Sequence, residues 1–504
     1  MPDHSPTSAA IRLEWPGRPE LIPPEPATDS PALAVLERWP AASPVAASNG
    51  DGPTHARDAA LFDADASDVL DAWRRTGQLS GIGDRPRLIY LDPPFATGDT
   101  FSAVLPIGLR RPGQPAIRLP AYRDAWPEGL AGYLTAMAGL LARAHDLLPG
   151  DGWLCVHVDH RASAHLRLLL DELFGADAFR NEIVWSYGLG NATARDRFPR
   201  KHDTLLLYAK SPAATFVPVR GEVTAAMDRK YRHVRPDGSR FMRSYGREYD
   251  LQGGRPVGSV WNDIPTLSPT GAERTAYPTQ KPLALLSRLI EATTAPGDIV
   301  LDPCCGSGTT VLAAALAGRT GVGVDRSPLA IATARARLAT ASIPFTLHMT
   351  CPTADALAPQ SPVRGGFSGV PPRRYRLDAR AAIAGSTVCL TLHHLWVDAA
   401  DDPASVAAAR QRYGLVDGVL VDRRAGKEMP LTATWSDWLD GWAVLAGPDN
   451  ETISAAAFRT GRSRDLPLEL SVPIPEGREL GSVTIRLFDL FGATSDHVVP
   501  VTAE

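Results

Sequence analysis

The sequence predicts an α/β chain: a doubly wound, mostly parallel sheet carrying an insert, followed by a small β-sandwich-like domain. Three observations predict it. Leu88–Leu91 is a short apolar run that ends on Asp92-Pro93-Pro94-Phe95. Asp298–Asp302, Val311–Arg319 and Thr320–Val324 read as strand, helix and strand around the turn Pro303-Cys304-Cys305-Gly306-Ser307-Gly308-Thr309-Thr310. That order gives parallel strands joined by a helical crossover. Beyond residue 375 the apolar positions alternate with period two, as in half-buried strands.

Taken in chain order, residues 1–55 are rich in Pro, Ala and Ser without periodicity, and are expected to be disordered. Residues 56–350 form the main domain. Within it, Gly152–Val158 reads as a parallel strand, Ser163–Phe174 as a helix and Asp203–Tyr208 as a strand. Residues 211–270 form an insert. Ser327–Ala341, rich in Ala, Arg and Leu, reads as the helix after Asp325. Residues 351–375 are a Pro/Gly-rich linker. Residues 376–504 form the β-rich end, with strands expected at Thr387–His393, Leu466–Ile474, Gly481–Leu490 and His497–Val501. Trp435, Trp438 and Trp442 are expected in its core and rim.

Composition narrows the class. A chain of 504 residues with 44% hydrophobic and 21% charged residues suits two or three soluble domains. No apolar run is long enough to span a bilayer, and no apolar segment near the N-terminus reads as a secretory signal. Five cysteines form no C-x-x-C pair, so a reducing cytoplasm is expected. No Cys/His spacing suits zinc, and no metal is expected. His157 and His160 flank Asp159 after a strand and are expected to satisfy local hydrogen bonds.

The net charge of −4 conceals an asymmetry. Arg180–Asp250 holds 14 Lys/Arg against 8 Asp/Glu, whereas Asp378–Glu504 holds 11 against 18. Basic residues neutralise phosphates and release counterions. The basic stretch interleaves Phe198, Tyr231, Phe241, Tyr245 and Tyr249 with arginines. It therefore suits a nucleic-acid grip, with Arg197, Arg200, Lys201, Arg240, Arg243 and Arg247 as candidate contacts.

Two motifs carry chemistry. In Asp92-Pro93-Pro94-Phe95, the carboxylate can accept one hydrogen of an exocyclic amine. Proline lacks an N–H, so the turn presents free carbonyls, and that of Pro93 can accept the second hydrogen. Phe95 can stack on a flat heterocycle. In the second motif the glycines allow close backbone approach, and Asp325 lies at the distance that suits ribose hydroxyls. No Lys follows Gly308, which excludes a phosphate-binding P-loop. Val311 stands where a dinucleotide fingerprint has its third glycine or alanine. A nucleoside site without a phosphate cradle remains, and S-adenosylmethionine fits it.

With these motifs the chain resembles the amino-methyltransferases of DNA in the permuted order called class β, and within them the methylation subunits of type III restriction-modification systems. The resemblance covers roughly Leu61–Leu338. It rests on Leu88–Gly98, Val260–Ile264, Glu273–Leu283, Asp298–Thr310 and Gly321–Asp325, with Tyr277-Pro-Thr-Gln-Lys-Pro282 the most specific piece. It implies a Rossmann-like, S-adenosylmethionine-dependent methyltransferase sheet. It also implies catalytic roles for Asp92, Pro93, Pro94 and Phe95 on the target base. Asp302, Pro303, Cys304, Gly306, Gly308 and Thr309 would line the cofactor, and Asp325 would bind its ribose. Thr279 and Lys281 would sit by the methionine carboxylate, and Asp65 by the adenine. The family prefers Phe where Cys304 stands, and Gly-Asp where Ala64-Asp65 stands. Residues 211–270 correspond to target recognition.

The resemblance implies methylation of adenine N6 in double-stranded DNA, in restriction-modification or phage defence. The family's cytosine-N4 enzymes favour Ser at the position of Asp92. Cytosine N4, RNA or protein amides as substrate, and a DNA-binding subunit without turnover stay open. So do a homodimer and a restriction, helicase or nuclease partner. No membrane association is expected.

Overall fold

The computed structural model describes residues 12–23, 25–26, 32–40, 57–79, 81–106, 116–188, 195–251, 254–269, 271–351, 363–364, 375–397, 413–416, 419–424, 427–430, 436, 439–445, 452–459, 466–474, 481–489 and 494–503. Its centre is a ten-stranded sheet. The strands are β1 (Ala32–Trp39), β2 (Ala59–Asp63), β3 (Leu88–Leu91), β6 (Trp153–Val158), β7 (Phe179–Ser186), β8 (His202–Ala209), β12 (Val260–Trp261), β13 (Ile299–Asp302), β14 (Thr320–Asp325) and β15 (Phe345–Cys351). They lie in the order β1-β15-β2-β14-β13-β3-β6-β8-β7-β12. The run from β15 to β6 is parallel. Of the others, β8 is antiparallel to β6 and β7, and β1 to β15.

Helices cover both faces, as the apolar runs require. Side chains of a strand alternate between faces. Ile89 and Leu91 therefore pack under α1 (Ala66–Thr76), α2 (Gly129–Leu147) and α3 (Ser163–Phe174). Leu88 and Tyr90 pack on the other face against α5 (Leu283–Thr293) and α6 (Thr309–Leu316). A strand buried on both faces has no room for a polar position, which is why Leu88–Leu91 is apolar throughout. Of the remaining helices, α7 (Pro328–Thr340) follows β14 and the short α4 (Ala225–Lys230) lies in the insert.

The expected disorder of residues 1–55 is corrected at Ala32–Trp39, which form the edge strand β1. Its order comes from partners distant in sequence. Trp39 stacks on Phe345 at 5.1 Å and packs on Phe458 and Phe488 at 5.8 and 6.2 Å. Buried Glu37 accepts from Trp39 Nε1 at 2.9 Å and meets Arg335 and Arg486 at 3.3 and 3.5 Å.

Two strands, β4 (Thr100–Pro106) and β5 (Ala116–Arg123), make a hairpin beside the main sheet. The insert carries a three-stranded sheet of β9 (His233–Val234), β10 (Arg240–Ser244) and β11 (Arg247–Asp250). The C-terminal strands are β16 (Val363–Arg364), β17 (Tyr375–Ala384), β18 (Thr387–Val397), β22 (Leu439–Leu445), β23 (Ile453–Phe458), β24 (Glu469–Pro473), β25 (Ser482–Asp489) and β26 (Thr494–Ala503). They form one sheet in the order β23-β22-β25-β26-β17-β18-β24, with β16 on β26. The expected sandwich is thus one continuous sheet, whose inner face encloses Leu390, Trp442, Val444 and Ile485. Its outer face docks Ala443, Leu445, Phe458 and Phe488 on the main domain. A separate meander holds β19 (Tyr413–Val416), β20 (Val419–Arg424) and β21 (Lys427–Pro430). Trp442 lies in the core as expected, while Trp435, Trp438 and most of the linker 351–375 fall outside the described residues.

Candidate functional site

Strand order sets the site. The chain winds to one side of β13 through α6 to β14, and to the other side of β3 through α2 to β6. Between β13 and β3 the winding reverses, and ligands of such sheets bind at the carboxyl ends of the strands there. Leu301 pairs with Ile89, so Asp302 and Asp92 emerge on neighbouring strands into one crevice.

The Asp92–Phe95 turn is held from below by Asp124, which sequence reading missed. This carboxylate, 1% exposed, accepts the backbone N–H groups of Phe95, Ala96 and Thr97 at 3.1, 3.0 and 2.8 Å. It also accepts Thr97 Oγ1 at 2.8 Å and Trp126 Nε1 at 3.1 Å. Successive N–H groups converging on one anion form a nest, and Ala96 enters the left-handed region at φ +57° to complete it. Nothing in the run Arg123–Trp126 signals this role, because Asp124 reaches the turn only through the β4–β5 hairpin.

Phe95 stacks on His157 at 6.0 Å and 28°. The His157 ring is buried between the Tyr90 hydroxyl (2.7 Å to Nδ1) and Asp203 (3.2 Å to Nε2), and Tyr187 donates to Asp203 at 3.0 Å. The expectation of local hydrogen bonds for His157 is met by partners from β3 and β8. His160 contacts Arg200.

Lys281 reaches across to the other motif. Expected beside a ligand carboxylate, its ammonium bonds both Asp92 oxygens, at 2.8 and 2.6 Å, and lies 5.2 Å over the Phe95 ring. Both side chains are mostly out of solvent, so each neutralises the nearest opposite charge. Thr279, two residues earlier, is β-branched yet sits at φ +58°, a strained state. Its hydroxyl donates to Pro278 O at 2.7 Å and meets the Tyr122 hydroxyl at 3.2 Å. Glu273 and Gln280 fix the rest of this loop, Glu273 by accepting Leu283 N at 2.7 Å and Gln280 by holding Thr275 and Glu273 O.

The second turn runs Asp302–Thr310. Asp302 accepts Thr310 Oγ1 at 2.6 Å and Cys304 N at 3.1 Å. Asp325 accepts Gly306 N at 2.9 Å and Ser327 N at 2.8 Å. The glycines serve packing inside the protein. A Cβ at Gly308 (φ +73°) would stand 2.7 Å from Ala334 Cβ, and one at Gly306 (φ +49°) 3.0 Å from the Tyr277 ring. Thr309 is bound to Arg337 Nη1 at 2.8 Å and to Lys281 O at 3.2 Å. Pro303 and half-buried Cys304 complete the turn. Asp65 caps α1 by accepting Ser67 N at 2.9 Å, on the strand end next to Asp325.

The crevice is acidic. Burial, reinforced by Asp92 and Asp325, pushes Asp302 up to about 7. Burial and Asp325 push Asp63 up to about 6. Burial also raises Asp325, and lifts the Cys304 and Cys305 thiols well above their ordinary range. Lys281 stands against these carboxylates, so the crevice suits a ligand carrying positive charge together with hydroxyl groups.

The candidate contacts in the insert divide. Arg240 is committed to Asp228 at 2.6 Å and to two carbonyls. Arg243 pairs with Glu248 at 3.1 Å and Arg197 with Asp196 at 2.8 Å. Arg247 and Lys201 have no ion-pair partner among the described residues.

Residues 87–335 match the N6/N4 methyltransferase family, described as DNA methylase. Over 315 residues the chain is 28% identical to the type II methyltransferase M.EcaI of Enterobacter cloacae, covering 52% of this chain and 67% of that one. It is 28% identical over 246 residues to the DNA adenine methyltransferase YhdJ of Escherichia coli K12, covering 47% and 71%. These relatives carry type II or adenine methyltransferase names, where the motifs resemble type III subunits. Among solved structures, the M1.HpyAVI–SAM complex aligns with a TM-score of 0.34 at 21% identity, over 55% of this chain and 98% of that one.

Proposed function

We propose, for a chain whose residues 87–335 belong to the N6/N4 DNA methylase family, that it methylates the exocyclic N6 of an adenine turned out of double-stranded DNA. The observation that carries the reading is the shared crevice. An amine acceptor, Asp92, and an acidic turn, Asp302 with Asp325, open on the same switch point.

The cofactor of this reading is S-adenosylmethionine, which supplies an electrophilic methyl group on a sulfonium. Asp325 has lone pairs left for a ribose diol, and buried Asp302 is relieved by a cationic ligand. Asp92 and the Pro93 carbonyl would accept hydrogen bonds from the two amine hydrogens, which turns the nitrogen lone pair toward the methyl group; the sulfonium would leave as a neutral thioether and the methylated amine would lose one proton. Phe95, backed by His157, forms the face on which the base stacks; one such stack contributes about 1–3 kcal/mol, comparable to the cost of extruding a base. Lys281 has to leave Asp92 first. Its ammonium holds both oxygens, and it opposes the positive charge that develops on the amine. The thiols of half-buried Cys304 and buried Cys305 stay protonated and form no covalent intermediate. Orientation and electrostatics carry the rate.

Asp92, where cytosine-N4 enzymes of the resembled family favour Ser, supports adenine. The type II names of the relatives support a place in restriction-modification or phage defence, with a nuclease as partner. The test is mass spectrometry of nucleosides from DNA of cells expressing the chain or its Asp92→Ala variant. N6-methyladenine with the parent and none with the variant is expected. N4-methylcytosine would transfer the reading to the other base, and no modified base would remove it.

A further inference from the structure

The tip of the β10–β11 hairpin breaks a rule of turn chemistry. Ser244 pairs with Arg247, so Tyr245 and Gly246 form a two-residue loop. Both have positive φ, +48° and +73°, the requirement of a type I′ turn. Asn or Asp followed by Gly normally fills it, because a bulky residue is strained in the left-handed region. Here the first position holds a tyrosine that is 100% exposed. Strain that no contact within the protein repays points to use outside it.

The hairpin fixes the backbone that carries this ring. Further along the hairpin, Phe241 is buried, with the Arg235 and Arg243 guanidinium groups 4.4 and 5.6 Å from its ring. Arg235 and Arg243 also hold Glu248, and Arg235 holds Asp250 at 2.5 Å. Arg240 holds Asp228. These pairs consume three of the four acids among residues 224–251, against seven basic residues. Arg229, Lys230, Arg232 and Arg247 are left without an ion-pair partner among the described residues, and Arg247 adjoins the tip. A strained, exposed ring beside the unneutralised Arg247 matches a polyanion with stacked flat rings.

We propose that Tyr245 is a wedge that stacks into duplex DNA, with Arg247 on the adjoining phosphate. The proposal rests on the DNA-methylating reading and deepens it. The insert leaves the sheet after β8, two strand spacings or about 10 Å from β3, and returns to it at β12, four spacings or about 19 Å away. Tyr245 therefore addresses the duplex beside the crevice, and acts on the target base through the shape it imposes on that duplex.

The test uses the full chain and random-sequence 30-base-pair duplexes, followed by fluorescence anisotropy across a salt series. Tyr245→Asn places the residue the turn favours, so its thermal midpoint equals or exceeds that of the parent. Its DNA affinity falls about tenfold, as for a lost base–aromatic stack, and its salt slope is unchanged because no charge is lost. Tyr245→Phe retains affinity. Arg247→Ala lowers the salt slope by about one. Unchanged affinity in Tyr245→Asn overturns the wedge, and so does a loss that tracks a lower midpoint. Binding of duplex RNA or heparin with the same dependence on Tyr245 would assign the tip to another partner and overturn the proposal. Methylated nucleosides are scored in parallel with the parent. Their absence counts against the functional reading, whereas their presence with tyrosine-independent binding counts against the wedge alone.

Discussion

Asp124→Asn tests whether the Asp92 turn is held by a buried anion. The carboxylate accepts five hydrogen bonds, with Phe95 N, Thr97 N and Thr97 Oγ1 on one oxygen and Ala96 N and Trp126 Nε1 on the other. Asparagine has one acceptor oxygen and places an NH₂ against the remaining donors. In either orientation at least two donors lose their acceptor. A buried unsatisfied group costs about 1–3 kcal/mol. Allowing for relaxation, the substitution should cost about 3 kcal/mol, a fall of roughly 5–10 °C in thermal midpoint. The functional effect is sharper. Ala96 is held in the left-handed region by this nest, and its release lets Asp92 and Phe95 drift by a fraction of an ångström or more. Misplacement of that order lowers turnover by about 100-fold. Cofactor affinity should stay within about twofold, since Asp302 and Asp325 have no bond to Asp124. Methyl transfer to genomic DNA and calorimetry with S-adenosylmethionine would be measured on the same preparation. Parental turnover in the variant would refute the argument. A parallel loss of cofactor binding would show general unfolding instead.

Three further outcomes follow. Lys281→Met removes the cation from Asp92; in a duplex with 2-aminopurine at the mapped methylation position, cofactor-free fluorescence should rise above that of the parent, and equal signals would mean that Lys281 does not contest the base site. Asp302 is raised to about 7 in the folded chain from 3.8, so the folded state binds the extra proton in that window, and its stabilising contribution, present at low pH, is lost as pH rises toward 7, by at most about 4 kcal/mol. Asp302→Asn should therefore gain midpoint relative to the parent between pH 4 and 7, and a constant difference would refute the buried acid. Gly308→Ala puts a Cβ at 2.7 Å from that of Ala334 and strains φ +73°; weakened cofactor binding is expected by calorimetry, and parental affinity would free this turn from its assigned role.

What was legible in the sequence was local. A short buried strand running into an acid, a glycine turn and a helix can be recognised within fifteen residues, and Leu88–Phe95 and Asp298–Asp325 appear at the sheet centre where their motifs place them. What escaped depends on partners far away. Lys281 meets Asp92 across 189 residues, and Asp124 meets the turn through a hairpin with no motif of its own. Ala32–Trp39 looked like part of a disordered tail because its order comes from Phe345, Phe458 and Phe488, not from its own periodicity. The ion pair of Arg240 with Asp228 was not legible from a count of arginines, and the strained Tyr245 beside Gly246 was visible only once the register fixed the turn.

On the proposed reading, the charge distribution constrains how DNA and cofactor would share the crevice. Asp63, Asp92, Asp302 and Asp325 lie around it with Lys281 opposed to them. Phosphates are repelled from such a surface, so the duplex backbone has to be gripped elsewhere, and the unpaired cations of the insert are suited to that. A neutral base is the part of DNA that can enter. Its entry is opposed as long as Lys281 holds Asp92, and it is favoured once a cationic ligand neutralises the acids behind it. Cofactor and target base are therefore expected to bind with positive coupling, and by linkage the coupling is reciprocal. A Kd for DNA that is the same with and without a non-reactive cofactor analogue would contradict this electrostatic account, whatever base the protein methylates.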